Sequence, residues 1–446
     1  MSWKLGLSIG EALVEITALR GTEKKSRRWL LPRRDLKGVL TDFLNTLPDL
    51  PGSVMCLATD MGHWILRRRL GTPIGLLVTS GFEDWPALRQ PTLENEFRVG
   101  VRRTPPFLDS GFVFGVSERI RADGGVETPL DMAELEFLAS KLELSGIQQI
   151  AIGFLNSQVN PTHEIRAEDY FREKGFQVYR SSDFSKSSNE VARWWRAFLN
   201  AYLAANFQGL EKDILEICTP LEVSPHLALA AQVTPWNEKK NYLDSLMGHA
   251  HALRKKALQN KSGSLLYMGI ESFWLLRPDQ EKDIWATELG PVALTHPLVH
   301  RLQLQPTSPI IEGLFHAATF GDKELFFDPG PVLCGRGLQL TALDAWLMSG
   351  ENGWKCLSYD SPEARTRAQN ASQALGKKLS FSADELNREL LDLGRALLRE
   401  EVARVGWPEP VQVVGPLAHI YGGSTNAGDS DFFLSEALCD LMGGSK

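Results

Sequence analysis

Between residues 53 and 203, apolar runs of strand length alternate with helical segments, which restricts the chain to sheets covered by helices. Residues 53–58 (SVMCLA) and 73–79 (PIGLLVT) read as buried strands, with a helix around Trp64, Ile65 and Leu66 between them. Pro129 and Asp131 open a helix that carries Leu135, Leu138 and Leu142 on one face and stops at Gly146. Residues 147–155 (IQQIAIGFL) form another buried strand. A polar helix is predicted from His163 to about Lys174, closed by Gly175, and a short strand (FQVYRSS) follows. Ser187, with Glu190 three residues on, has the form of a capping box. It predicts a helix through Trp194, Trp195, Phe198, Leu199 and Tyr202.

Residues 4–20 alternate apolar and polar and contain Gly6 and Gly10, as a strand, tight turn and strand would. A similar segment opens at Ser264 (SLLYMGIESFWLL), so two lobes begin alike. The first lobe is expected at residues 1–210, a second at 211–350, and a helical segment completing the second at 351–446. Residues 211–262 have no clear pattern, and Gly/Pro-rich turns are expected up to about residue 340. A Ser382–Glu385 capping box then starts a long helix. Its stripe is Leu386, Leu390, Leu393, Leu397 and Val405, and Gly406 and Pro408 stop it.

The net charge of −7, without a long Lys/Arg run, argues against a nucleic-acid partner. The two basic spots, Arg67-Arg68-Arg69 and Lys24-Lys25 with Arg27-Arg28, read as solvated charge rather than a phosphate patch. The opening MSWKLGLSIG lacks a signal-peptide pattern, and no apolar run reaches spanning length, so a cytoplasmic chain with no membrane partner is expected. Five well-separated cysteines suit reduced thiols. His296 and His300 have a spacing that puts two imidazoles on one helix face, but no third ligand lies nearby in the sequence, and no metal is expected. His249 and His251, two apart, suit one face of a strand and read as structural. Adjacent Trp194 and Trp195 diverge by about 100° on a helix, so at least one is expected at the edge of the buried face, where an interface anchor would sit.

Four stretches, in order, resemble the hydantoinase A/oxoprolinase family of ATP-dependent hydantoinases, 5-oxoprolinases and acetone or acetophenone carboxylase subunits. They are residues 77–91 (LVTSGFEDWPALRQP), residues 154–171 with Asn160, Pro161, His163, Glu164 and Arg166, residues 181–203 ending in LNAYL, and residues 328–347 (DPGPVLCGRGLQLTALDAWL). The resemblance implies an actin-like (sugar-kinase/heat-shock-70-like) two-lobed α/β fold. ATP would sit in the cleft, gripped by two strand–turn–strand hairpins. It also implies a protein partner, of hydantoinase B or carboxylase-subunit type, or a homo-oligomer.

The phosphate-binding positions depart from the family pattern. In the first hairpin the family Asp is Ser8. Gly6 and Gly10 remain, Glu11 replaces a glycine, and Ala12 and Val14 replace threonines. In the second, Tyr267 and Trp274 stand where acids belong, beside Gly269, and Glu271 replaces a threonine. The adenosine loop lacks its glycine run at residues 306–313, and an early Thr-x-Ala-Thr-Asn is reduced to Ala58-Thr59-Asp60. Glycines and hydroxyls let a hairpin approach phosphate, and an acid holds the metal. Their replacement predicts a non-catalytic subunit, with no cofactor, that scaffolds or regulates a larger assembly. The alternative is an ATP/Mg-dependent amidohydrolase or carboxylase subunit with remodelled contacts. A third possibility is an ATP-independent binder or hydrolase using the remodelled cleft. The weak catalytic candidates are His163, Glu164 and Asp344. Each has a duller role as a helix-start or turn residue, and Cys334 beside Arg336 reads as a structural turn.

Overall fold

The computed structural model describes residues 2–10, 13–30, 36–86, 110–236, 241–269, 272–287, 290–302, 318–320, 325–327, 362–406, 411–416, 418 and 432–442. Glu11, Glu271, Asp344, Cys334, Arg336 and the segments at 306–313 and 328–347 lie outside the described residues.

Strands β1 (Lys4–Ile9), β2 (Leu13–Arg20) and β3 (Glu23–Leu30) form an antiparallel meander, and β4 (Val54–Thr59) runs parallel to β1 on its other side. Helix α1 (Leu36–Leu44) makes the crossover, and α2 (Met61–Arg68) follows β4. The second sheet consists of β5 (Ile74–Thr79), β6 (Val113–Val116), β7 (Gln149–Gly153) and β8 (Gln177–Arg180), all parallel, in the order β8-β7-β5-β6. Its helices are α3 (Met132–Leu144) and α4 (Thr162–Glu173). The Asp131 carboxylate caps α3, and the positive φ of Gly146 and Gly175 turns the chain out of both helices, as the sequence predicts.

Helix α5 (Glu190–Cys218) then returns the chain to the first sheet, which β9 (Ser224–Ala228) and β10 (Val233–Pro235) extend. The cap of α5 differs from the expected Ser187–Glu190 box. Asn189 accepts from the N–H of Ala192, and Glu190 instead holds the N–H of Asn156. Trp194 and Trp195 are both buried against Trp85, so neither is left at the surface to anchor a partner.

After α6 (Gly248–Gln259), β11 (Ser264–Met268), β12 (Phe273–Thr287) and β13 (Gly290–Leu302) form a second meander, and β14 (Val411–Val414) lies parallel to β11. Where turns were expected beyond residue 276, β12 and β13 pair as one long hairpin. The order β13-β12-β11-β14 repeats the β3-β2-β1-β4 arrangement of the first sheet. This repeated topology is the two-lobed, actin-like α/β plan. Helices α7 (Pro362–Leu379) and α8 (Ala383–Arg404) precede β14, and the reciprocal Ser382–Glu385 box is present. The described buried side chains of α8 are Leu386, Leu398 and Val402, whereas Val405 lies just past the helix. Helix α9 (Phe433–Leu441) packs back on β1 and β2.

Side chains alternate along β1. Leu5, Leu7 and Ile9 join a core beneath α1 and α5. Gly6 and Ser8 face the opposite side, where α6 and α9 bridge the two meander sheets through Ala58, Ala250, Tyr267, Trp274 and Leu438.

Candidate functional site

The two hairpins that open the lobes are structurally equivalent. Ser8 is opposite Glu15 in the first, and Tyr267 is opposite Trp274 in the second. In each, a glycine N–H closes the turn: Gly10 donates to the Leu13 carbonyl at 2.8 Å, and Gly269 to that of Ser272 at 3.0 Å.

In the second hairpin aromatic side chains take the acidic positions. The Tyr267 ring lies between Gly269 and Gly415, where a Cβ would come within 2.8 and 2.9 Å of ring carbons. Burial pushes its phenol well above the ordinary range, and the nearby charge of Glu15 adds to this. Trp274 is buried, edge-on to His63 at 5.5 Å and to His249 at 6.4 Å.

In the first hairpin α9 occupies the face of Gly6. A Cβ there would lie 1.9 Å from the Ser435 carbonyl oxygen, so only glycine permits this approach. The Glu15 carboxylate is buried, paired with Arg28 at 2.5 Å, and accepts from the Ser435 hydroxyl at 2.7 Å. Arg28 is therefore a buried structural cation, contrary to the expected solvated charge. The other described members of that basic spot are also engaged. Lys24 pairs with Glu436, Lys25 donates to the Thr46 carbonyl, and Arg27 lies over Trp29.

Ser8 meets a residue 241 positions away. Its Oγ is 3.0 Å from His249 Nε2, and His249 Nδ1 is 3.1 Å from Asp60 Oδ1. All three residues are buried. Ser8 stands near the carboxyl end of β1, Asp60 directly follows β4, and His249 lies in the first turn of α6. The parallel pairing of β1 with β4 brings the first two together, and the inward face of α6 supplies the third. His249 and His251 thus lie on a helix, not on one strand face. Two residues apart on a helix they point to different sides.

His163 and Glu164 belong to a separate network at the carboxyl edge of the second sheet. His163 Nδ1 lies 2.8 Å from Glu118, whose carboxyl burial holds above the usual range and which also accepts from Thr79. Glu164 accepts from the N–H groups of Phe154 and Ser182 and from the Ser181 hydroxyl. The two residues thus have different partners and fasten the ends of β7, β8 and α4. His296 and His300 lie on β13, not on a helix, so four residues separate them by about 13 Å, too far to share an ion. Among the described residues no cluster of three or more His, Cys, Asp or Glu is placed to hold a metal. Cys56, Cys218 and Cys439 are buried, and burial raises their thiols, that of Cys218 to about 12. None of the described helices is long and apolar enough to cross a membrane.

Residues 39–175 match the hydantoinase/oxoprolinase N-terminal region. The chain is 30% identical over 159 residues to the acetophenone carboxylase gamma subunit of Aromatoleum aromaticum, covering 32% of this chain and 22% of that protein. It is 28% identical over 150 residues to the caprolactamase subunit alpha of Pseudomonas jessenii, covering 31% and 20%. An uncharacterised protein of Methanocaldococcus jannaschii is 28% identical over 169 residues, or 37% and 25%. The chain thus spans about a quarter or less of the length of these curated relatives. Among solved structures, nucleotide-free acetone carboxylase superposes with a TM-score of 0.77 at 16% identity, covering 98% of this chain and 70% of that one. The ATP-dependent caprolactamase from Pseudomonas jessenii gives 0.68 at 17%, with the same coverages. At such identities the likeness is one of fold.

Proposed function

We propose that this chain, whose residues 39–175 match the hydantoinase/oxoprolinase N-terminal region, is a subunit that does not carry out an ATP-driven step but scaffolds or regulates a larger carboxylase- or amidohydrolase-type assembly. The observation that carries this reading is the packing of the second hairpin. Tyr267 fills a slot between two glycines, and Trp274, opposite it, is buried against two imidazoles. A triphosphate with its metal needs acids, hydroxyls and open backbone N–H groups there. Neither ring supplies an acid to hold the metal, and their burial leaves them no easy way out.

The first hairpin supports the same reading. Its Glu15 is committed to Arg28 and Ser435, and Ser8 to His249. The relatives named as subunits supply the reason to expect a protein partner. Phosphate release from Mg-ATP by the purified chain tests the reading. No turnover above buffer is expected, and steady release that disappears in Tyr267→Ala and Trp274→Ala would favour the ATP-dependent amidohydrolase or carboxylase alternative.

A further inference from the structure

Asp60, His249 and Ser8 form a connected carboxylate–imidazole–hydroxyl series with a defined direction. A carboxylate accepts only, so the hydrogen between Asp60 and His249 sits on Nδ1. That leaves Nε2 as the acceptor 3.0 Å from Ser8 Oγ, the polarity a general base needs to activate a hydroxyl. The imidazole is held in place by Trp274, edge-on at 6.4 Å, and by its place in the first turn of α6. The Asp60 N–H donates to the Ile9 carbonyl at 2.9 Å, which fixes the acid's backbone beside the residue following Ser8. The series lies at the carboxyl ends of the parallel strands β1 and β4, the edge at which open α/β sheets bind ligands.

We propose that Ser8 is a nucleophile activated by His249 and Asp60, and that it takes a small, neutral acyl donor such as a short ester, without ATP. The Ser8 Oγ–carbonyl carbon bond forms as the proton passes to His249 Nε2. The bond from that carbon to the alkoxy leaving group then breaks, and His249 returns the proton to the leaving oxygen. Water reverses the sequence: it attacks the acyl carbon, gives its proton to His249, and Ser8 Oγ leaves and recovers it. Asp60 stabilises the imidazolium formed in each half. A neutral acyl group suits a neighbourhood of indole, phenol and imidazole in which Arg28 is committed to Glu15.

This inference goes beyond the scaffold reading and does not rest on it, because it is tested without nucleotide. The full chain is treated with an alkyl fluorophosphonate, which forms a Ser Oγ–phosphorus bond and releases fluoride, and the adduct is located by peptide mass spectrometry. One adduct at Ser8 is expected. It should be absent in Ser8→Ala, slowed by roughly a hundredfold or more in His249→Gln, and slowed in Asp60→Asn. His251→Gln, on the same helix but outside the series, should label like the wild type. Ser8→Cys tests access independently, through alkylation by iodoacetamide with near-ultraviolet circular dichroism as the check on folding. A wild-type chain that does not label at Ser8, a His249→Gln variant that labels at the wild-type rate, or a folded Ser8→Cys chain that resists alkylation would each overturn the proposal. An ATP-binding chain that still labels would contradict only the scaffold reading.

Discussion

Glu15 and Ser435 are 420 residues apart, yet one carboxylate oxygen of Glu15 accepts both the hydroxyl of Ser435, at 2.7 Å, and its backbone N–H, at 3.2 Å. The other oxygen is held by Arg28, which is itself buried. The first hairpin and the C-terminal helix are thus joined through one buried acid.

Removing that acid leaves Arg28 as a buried charge without its counter-ion. Glu15→Ala is therefore expected to destabilise the chain by about 3–5 kcal/mol, and Glu15→Gln by less, because the amide oxygen can still accept. Urea denaturation followed by tryptophan fluorescence measures both. A cost below about 1 kcal/mol for Glu15→Ala would mean that α9 is held by its apolar contacts alone.

Glycine positions separate packing from propensity. Gly6→Ala drives a methyl into the Ser435 backbone and is expected to cost about 1–3 kcal/mol as α9 shifts. Gly209→Ala, within α5 and with nothing within 4 Å of the added methyl, is expected to stabilise by up to about 1 kcal/mol. Paired melting curves of the two variants should therefore move in opposite directions.

His251 gives a pH dependence. Burial, reinforced by Lys255 and Arg254, lowers its pKa from 6.5 to about 4, so the folded chain keeps it neutral. Below about pH 6.5 the unfolded chain takes up this proton first. The stability due to His251 is thus full above that pH, falls as pH drops towards 4, and is then exhausted. The loss is at most about 3 kcal/mol, reduced by the partial exposure of the ring. Comparing wild type with His251→Leu at pH 7 and pH 5 isolates it. The wild type should lose more stability than the variant between the two, and equal losses would place the acid sensitivity elsewhere.

The sequence reveals most of what local pattern can carry. Apolar runs and helix stops locate α2, α3 and α4 with β5 and β7, though not β6, and the matched hairpins foretell the repeated meander. The misreadings share a cause. Ser187 and Glu190 have the spacing of a box, but Glu190 is drawn to Asn156 by tertiary structure, and Asn189 caps instead. His249 and His251 look like a strand pair because periodicity over three residues cannot distinguish strand from helix. Ser8 reads only as a missing acid, and Asp60 only as the remainder of a reduced motif. Their link through His249 spans 241 residues and has no local signal.

The most direct test of the central claim, that the cleft does not accept ATP, is thermal unfolding of the purified chain with and without millimolar Mg-ATP. A ligand at about 100 times its dissociation constant adds about 2.7 kcal/mol to the folded state, which raises the midpoint by a degree or more in a chain of this size. The hairpin packing, with Tyr267 between two glycines and Trp274 against His249, predicts superimposable curves. A midpoint that rises with Mg-ATP concentration and saturates would contradict it and favour the ATP-dependent alternative.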